Sequence, residues 1–174
     1  MDSKKSIINY EGMGKWLYSR PRLVLAAKWC ELVLSAFVAA AYVVFGALMA
    51  LIDSPLRTLV YIIVTGVSFF ALSMLRVWLD AKRPYEVYDF ASLGITVGGK
   101  GGRSFPSRHV FSAFIIGTLI LPSMLWLGII TLIFGAIIGF IRVVTCKHFV
   151  RDVLAGAAIG AVLGAVGIIS MALI

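Results

Sequence analysis

The chain has 174 residues, is 61% hydrophobic, is only 14% charged and carries a formal net charge of +8. So little charge cannot solvate the surface of a soluble domain of this length, and several apolar runs reach about 20 residues, enough for an α-helix to cross the hydrocarbon core. The alternating pattern of a membrane β-barrel is absent, and the basic residues cluster beside apolar spans, as they do against anionic lipid headgroups rather than nucleic acid. The expected fold is all-α: one membrane-embedded domain over residues 1–174, a polytopic transmembrane helix bundle of about five spans plus an N-terminal interfacial helix.

In chain order, residues 1–20 mix Lys4, Lys5, Lys15 and Arg20 with Trp16, Leu17 and Tyr18, a composition suited to the membrane surface. Pro21 fits the first turn of a helix whose pattern runs to Ile52. Its buried part is expected at about 32–52, with Lys28 and Glu31 at the interface. The run is too long for a cleaved signal peptide and reads as an uncleaved signal-anchor. Asp53-Ser54-Pro55 is a turn, and a second span covers about 57–79, becoming polar at Arg76 and Asp80.

Residues 81–106 form one long loop rich in charge and glycine. Its stretch Val97–Gly102 lacks the G-x4-G-K-[ST] pattern and a preceding strand, so it is read as a lid, a substrate-access loop or a plain connector rather than a nucleotide loop. A third span is expected from Ser107 to Leu121, a turn at Pro122-Ser123, a fourth span over 123–142 and a fifth over 150–174. Residues 107–142 exceed the length of one crossing, which favours a hairpin. This topology puts the N-terminus, the 81–106 loop and the 142–151 segment on one side, and leaves Arg57 as the lone basic residue opposite. Positive-inside counting assigns the basic side to the cytoplasm. Gly135/Gly139 and Gly156/Gly160/Gly164 allow close helix approach, within the chain in preference to a homodimer, though a stripe alone does not choose. Cys30 and Cys146 form no disulfide framework, and with two histidines and no Cys-x-x-Cys pair a structural zinc site is not expected.

Three polar clusters interrupt the apolar chain, all on the basic side: Arg76-x6-Arg83-Pro84, Pro106-Ser107-Arg108-His109, and Arg142-x5-His148-x3-Asp152. Ionisable groups at membrane depth are costly and are functional candidates by default. Each cluster alone has a plain explanation: a helix-end anchor, a satisfied polar group, a solvated loop. Together they hold both histidines of the chain. Asp152, four residues after His148, shares its helix face and can fix the imidazole tautomer. Arg76, Arg83 and Arg142 offer planar forks for phosphate oxygens, and Ser107 stands at a helix start with free N–H groups. Phosphoryl transfer asks for these parts: neutralised oxygens, a nucleophile and an acid.

These residues resemble the three signatures of the type 2 phosphatidic acid phosphatase superfamily, K-x6-R-P, P-S-G-H and S-R-x5-H-x3-D. Arg83, Pro84, Pro106, Ser107, His109, Arg142, His148 and Asp152 match them in order, within a catalytic region of about 76–152. Arg76 stands for the family's lysine, Arg108 for its glycine and Ile141 for its serine, and the usual six spans are reduced here to five plus a surface segment. The resemblance implies a lipid phosphatase in which His148 forms a phosphohistidine, His109 protonates the leaving alcohol and Asp152 orients His148. It further implies that Arg76, Arg83, Ser107, Arg108 and Arg142 hold the phosphoryl oxygens, with no cofactor and no metal. Phosphatidic acid, phosphatidylglycerophosphate and polyprenyl (pyro)phosphate all present the required terminal phosphate. The alternatives are a catalytically silent protein that binds or translocates anionic lipids and, with soluble architecture against it, a vanadate-haloperoxidase-like enzyme. A bacterial-type cell membrane is the expected location; charge bias puts the active face in the cytoplasm, whereas the habit of the family puts it outside.

Overall fold

The structure is a computed structural model that describes residues 8–97 and 101–174. It is helical throughout its ordered elements. A surface helix α1 (Tyr10–Tyr18) is followed by the long helices α2 (Pro21–Ile52) and α3 (Pro55–Leu79), a single turn α4 (Pro84–Val87), then α5 (Arg108–Ile120), α6 (Leu125–Val144) and α7 (Val150–Ala172). Pro21, Pro55 and Pro84 each start a helix, where the missing N–H costs nothing.

The helices containing α2, α3, α6 and α7 are long and apolar enough to cross a membrane. α5, expected as a full crossing, is shorter. Its 13 residues span about 20 Å, less than the hydrocarbon thickness of roughly 30 Å. Its bounds lie within a residue of the expected Ser107 and Leu121 at each end, and the segment before it is engaged outside a helix: the Ser104 amide donates to the Ala81 carbonyl at 2.8 Å and the Ser107 amide to the Asp152 carbonyl at 2.8 Å. α5 is the centre of the bundle, touching α2, α3, α6 and α7, and Val110, Phe111, Ala113 and Ile120 are fully buried.

Outward faces of the long helices are broadly apolar, with residues such as Val43, Phe70, Trp78, Phe140 and Ile169 exposed, as a lipid-facing surface requires. α2 and α3 form a hairpin pinned by Tyr61, which stacks on Tyr42 with ring centroids 5.1 Å apart and meets Phe45 edge-on at 5.4 Å.

α5 and α7 approach closely because α7 presents glycines to it. A Cβ on Gly156 would lie 2.5 Å from the Ser107 carbonyl oxygen, one on Gly160 2.6 Å from that of Phe111, and one on Gly164 2.7 Å from Thr118 Cβ. The glycine stripe is therefore spent inside the chain, on the helix that begins at the polar end of the bundle.

α1 does not merely lie on the membrane surface. Tyr10 is buried, its hydroxyl accepts from the Val150 amide at 3.1 Å, and its ring meets Phe149 edge-on at 5.2 Å. Tyr18 donates to the Thr145 carbonyl at 3.1 Å. The helix thus braces the short α6–α7 connection.

Gly156→Ala is expected to lower the thermal unfolding midpoint in detergent, at an overpacking cost of about 1–3 kcal/mol, because backbone rather than a flexible side chain must yield. At Gly66 a Cβ would meet nothing within 4 Å. Gly66→Ala should leave the midpoint unchanged or raise it, and equal losses in both variants would contradict the packing argument.

Candidate active site

The α6–α7 connection is shaped to hold one histidine rigidly. α6 ends as Cys146 takes a left-handed φ of 55°, and the amides of Lys147 and His148 both donate back to the Arg142 carbonyl at 3.0 and 3.1 Å. α7 then starts at Val150, and the Phe149 amide donates to Asp152 Oδ2 at 3.0 Å, an N-terminal cap that also fixes the carboxylate. His148 and Asp152 end up 1% and 0% exposed, so the pair is shielded from solvent.

The expected Asp152–His148 relation is present, with an addition. Nδ1 of His148 lies 3.6 Å from Asp152 Oδ2, which is ion-pair range but too long for a hydrogen bond. Ser104, fully buried, fills the gap: its hydroxyl donates to Asp152 Oδ2 at 2.5 Å and stands 3.4 Å from His148 Nδ1. A chain from imidazole N–H to hydroxyl to carboxylate links the three groups with the proton on Nδ1, while Asp152 Oδ1 has no hydrogen-bond partner among the described residues. On the other side of the ring, Arg142 Nη1 lies 3.3 Å from Nε2, whose lone pair faces the arginine. Burial, with Arg142 and Arg83 nearby, lowers the His148 pKa to about 4, against the opposing pull of Asp152. The lowered pKa favours the neutral ring.

Arg142 is anchored by a residue the motifs do not include. Its Nη2 donates to Glu31 Oε1 from the middle of α2, and Lys147 Nζ reaches Glu31 Oε2 at 2.8 Å. Both Glu31 and Arg142 are buried, while Arg142 Nε has no hydrogen-bond partner among the described residues. Ser107, the N-cap of α5, is likewise buried with its hydroxyl unpartnered. Unsatisfied polar atoms of this kind are rare in folded proteins.

The remaining predicted residues divide into two sets. Arg83 projects from the start of α4, its Nε donating to the Gly102 carbonyl at 2.9 Å while Glu86 accepts from the amides of Arg83 and Gly102. Gly102 needs to be glycine: its φ is 68°, and a Cβ there would fall 2.4 Å from Asp80 Oδ1. Arg76 is buried with its two terminal nitrogens donating to the carbonyls of Pro106 and Arg103. It holds the strand that delivers Ser104 and Ser107, and two of its five donors are spent there.

His109 and Arg108, in the first turn of α5, face a cavity instead. Arg108 is exposed, with its guanidinium 5.3 Å from the ring centroid of Phe69, and His109 lies within electrostatic reach of His148, Arg142 and Glu31. Ile141 is buried, and its carbonyl accepts from the Thr145 amide and hydroxyl. Among the described residues no group of three or more His, Cys, Asp and Glu side chains gathers. Of the glycine-rich stretch, residues 98–100 lie outside the described residues.

Residues 57–172 match the PAP2 superfamily. The chain belongs to that superfamily. No curated protein sequence matches it. Among solved structures it is similar to a transmembrane PAP2 type phosphatidylglycerolphosphate phosphatase from Bacillus subtilis, with TM-score 0.68 and 23% identity over 91% of this chain and 82% of that one. It is also similar to LpxE from Aquifex aeolicus, with TM-score 0.61 and 22% identity over 96% of this chain and 98% of that one. At such identity these likenesses establish the PAP2 membrane fold, and the chain is an integral membrane protein of this superfamily. Ser104 and Glu31 were the residues sequence reasoning did not single out. Glu31 carried a signal, since a carboxylate within an apolar span beside a basic cluster needs a cationic partner.

A buried histidine with a lowered pKa binds no proton in the folded state between about pH 4 and 6.5, whereas the unfolded chain does. The unfolded state then holds more protons, so stability contributed by His148 is present above pH 6.5 and falls by up to about 3 kcal/mol as pH drops to 4. Thermal unfolding in detergent across that window should show the slope, reduced in His148→Gln; an identical slope in both proteins would refute it.

Proposed function

We propose that this PAP2 protein is a lipid phosphatase that removes a terminal phosphate through a phosphohistidine at His148. The observation that carries the reading is a buried, neutral imidazole set between a Ser104–Asp152 acceptor chain and Arg142, beside two buried polar atoms that lack partners, Ser107 Oγ and Arg142 Nε. A phosphoryl group supplies the acceptors that those atoms lack. Arg142, Arg83, Ser107 and the free N–H groups at the start of α5 would hold its equatorial oxygens, with Arg108 at the rim. Arg76 supports this cradle from behind.

In the first step Nε2 of His148 forms a bond to phosphorus as the bond to the lipid oxygen breaks, and His109, whose protonated form the bound phosphate dianion favours, gives its proton to that oxygen. The imidazolium that results is stabilised through Nδ1–H by Ser104 and Asp152. In the second step His109 takes a proton from water, which attacks phosphorus, and the N–P bond breaks to release inorganic phosphate and neutral His148. Arginines supply the countercharge, so no metal takes part.

Phosphatidic acid, phosphatidylglycerophosphate and polyprenyl (pyro)phosphate are the substrate classes whose phosphate sits at this depth. The active face is assigned to the cytoplasmic side of a bacterial-type membrane, since Arg57 is the lone basic residue of the other end.

Phosphate release from these lipids in detergent is expected with wild-type protein, undiminished by chelators, and lost in His148→Ala; full activity in that variant would overturn the mechanism. Ser104→Ala should lower kcat about 10-fold or more with KM little changed, the loss of a charge-assisted hydrogen bond costing about 1.5–3 kcal/mol. A change confined to KM would remove Ser104 from the relay.

Orientation has its own test. In a Cys30→Ser background, a cysteine introduced at the exposed Ala91 should react with an impermeant maleimide only after cells are opened. Labelling in intact cells would place the active face outside.

A further inference from the structure

Glu31 divides its two oxygens between two cations. Oε1 accepts from Arg142 Nη2, and Oε2 accepts from Lys147 Nζ at 2.8 Å. An arginine and a carboxylate frequently meet at two points instead, because the planar fork of donors matches the pair of oxygens. Here they meet at one. Arg142 keeps Nη1, 3.3 Å from His148 Nε2, and Nε, which is buried and has no hydrogen-bond partner among the described residues, outside the ion pair.

Lys147 is placed to enforce that division. Its amide donates to the Arg142 carbonyl at 3.0 Å, across the turn that the left-handed Cys146 makes at the end of α6. The backbone thus sets the ammonium and the guanidinium side by side against the same carboxylate of α2. The side chains of Lys147, Glu31 and Arg142 are 18%, 12% and 8% exposed, so little water reaches the carboxylate to replace a lost cation. A buried carboxylate oxygen without a partner is costly. With Lys147 gone, the donors nearest to Oε2 are those of Arg142, the same donors that a phosphoryl group requires.

We propose that Lys147 is a positioning residue: by occupying one oxygen of Glu31 it keeps that carboxylate from closing on Arg142 at two points, and so holds the remaining donors of Arg142 open to the phosphoryl group. The claim rests on the phosphatase reading for the place of the phosphate at Arg142, whereas the competition between Glu31 and phosphate is a separate claim about Lys147.

The test measures anion affinity in the full-length protein in detergent, by calorimetric titration with inorganic phosphate, alongside kcat and KM for phosphatidic acid. Lys147→Met is expected to weaken phosphate binding about 10-fold or more, the scale of one hydrogen bond to a charged group, with KM rising in parallel. Lys147→Arg keeps a donor for Oε2 and should bind phosphate as wild type does. The deciding variant is Lys147→Met combined with Glu31→Gln. A glutamine offers Arg142 a single, uncharged acceptor oxygen, so the second substitution should restore most of the affinity that the first removes. A bridge that served stability alone would not return phosphate affinity when its second member is deleted. Wild-type affinity in Lys147→Met overturns the proposal. So does a double variant that binds no better than Lys147→Met, the result expected of a lysine that touched phosphate itself; either outcome leaves the phosphatase reading standing where wild type still hydrolyses the lipid. Loss and recovery of phosphate binding in proteins that release no phosphate from phosphatidic acid supports the role of Lys147 and overturns the phosphatase reading instead. A wild-type protein that binds no phosphate overturns both.

Discussion

The arrangement depends on one buried carboxylate answering a cluster of cations. Arg76, Arg83, Arg108 and Arg142 converge at one end of an apolar bundle, where like charges repel and desolvation is expensive. Glu31 is the acid that enters this cluster from the bundle wall, holding Arg142 with one oxygen and Lys147 with the other. By fixing Arg142 it also fixes the group that faces Nε2 of His148. Removing one partner of such a pair strands the other and typically costs several kcal/mol. The compensation is incomplete: Arg142 Nε has no hydrogen-bond partner among the described residues, and the basic end remains net positive.

A second constraint is steric. His148 and Asp152 stand on the α6–α7 connection, whereas Ser107 and His109 stand on α5. What joins them is the near-contact of backbone with backbone at Gly156, reinforced by the Ser107 amide donating to the Asp152 carbonyl. A helix pair separated by ordinary side chains would leave the two histidines on opposite walls of a wider groove. The glycines of α7 thus fix the geometry of the site through packing, and α1 secures the same connection from outside through Tyr10 and Tyr18.

Most of this was legible from residue pattern. The long helices announced themselves by apolar length, and their proline starts and polar ends by type. The three clusters pointed to one end of the bundle because parity put them there. α5 was placed within a residue at each end, but its apolar run was counted as a crossing although its 13 residues are too few for one. Arg76 read as a phosphate ligand because an arginine's charge is visible in sequence and its partners are not; here Pro106 and Arg103 carbonyls take two of its donors. Ser104 was hidden for a related reason. A serine in a loop carries no periodicity, and its value arises from reaching a histidine and an aspartate more than 40 residues on.

α2 draws these strands together, although it contains none of the family signatures. Its Glu31 faces the cationic site and its Ser35, one turn further in, faces the cavity. The cationic site and the cavity are thus reached from successive turns of one rigid element, so the distance between them is fixed by helix geometry rather than by a loop.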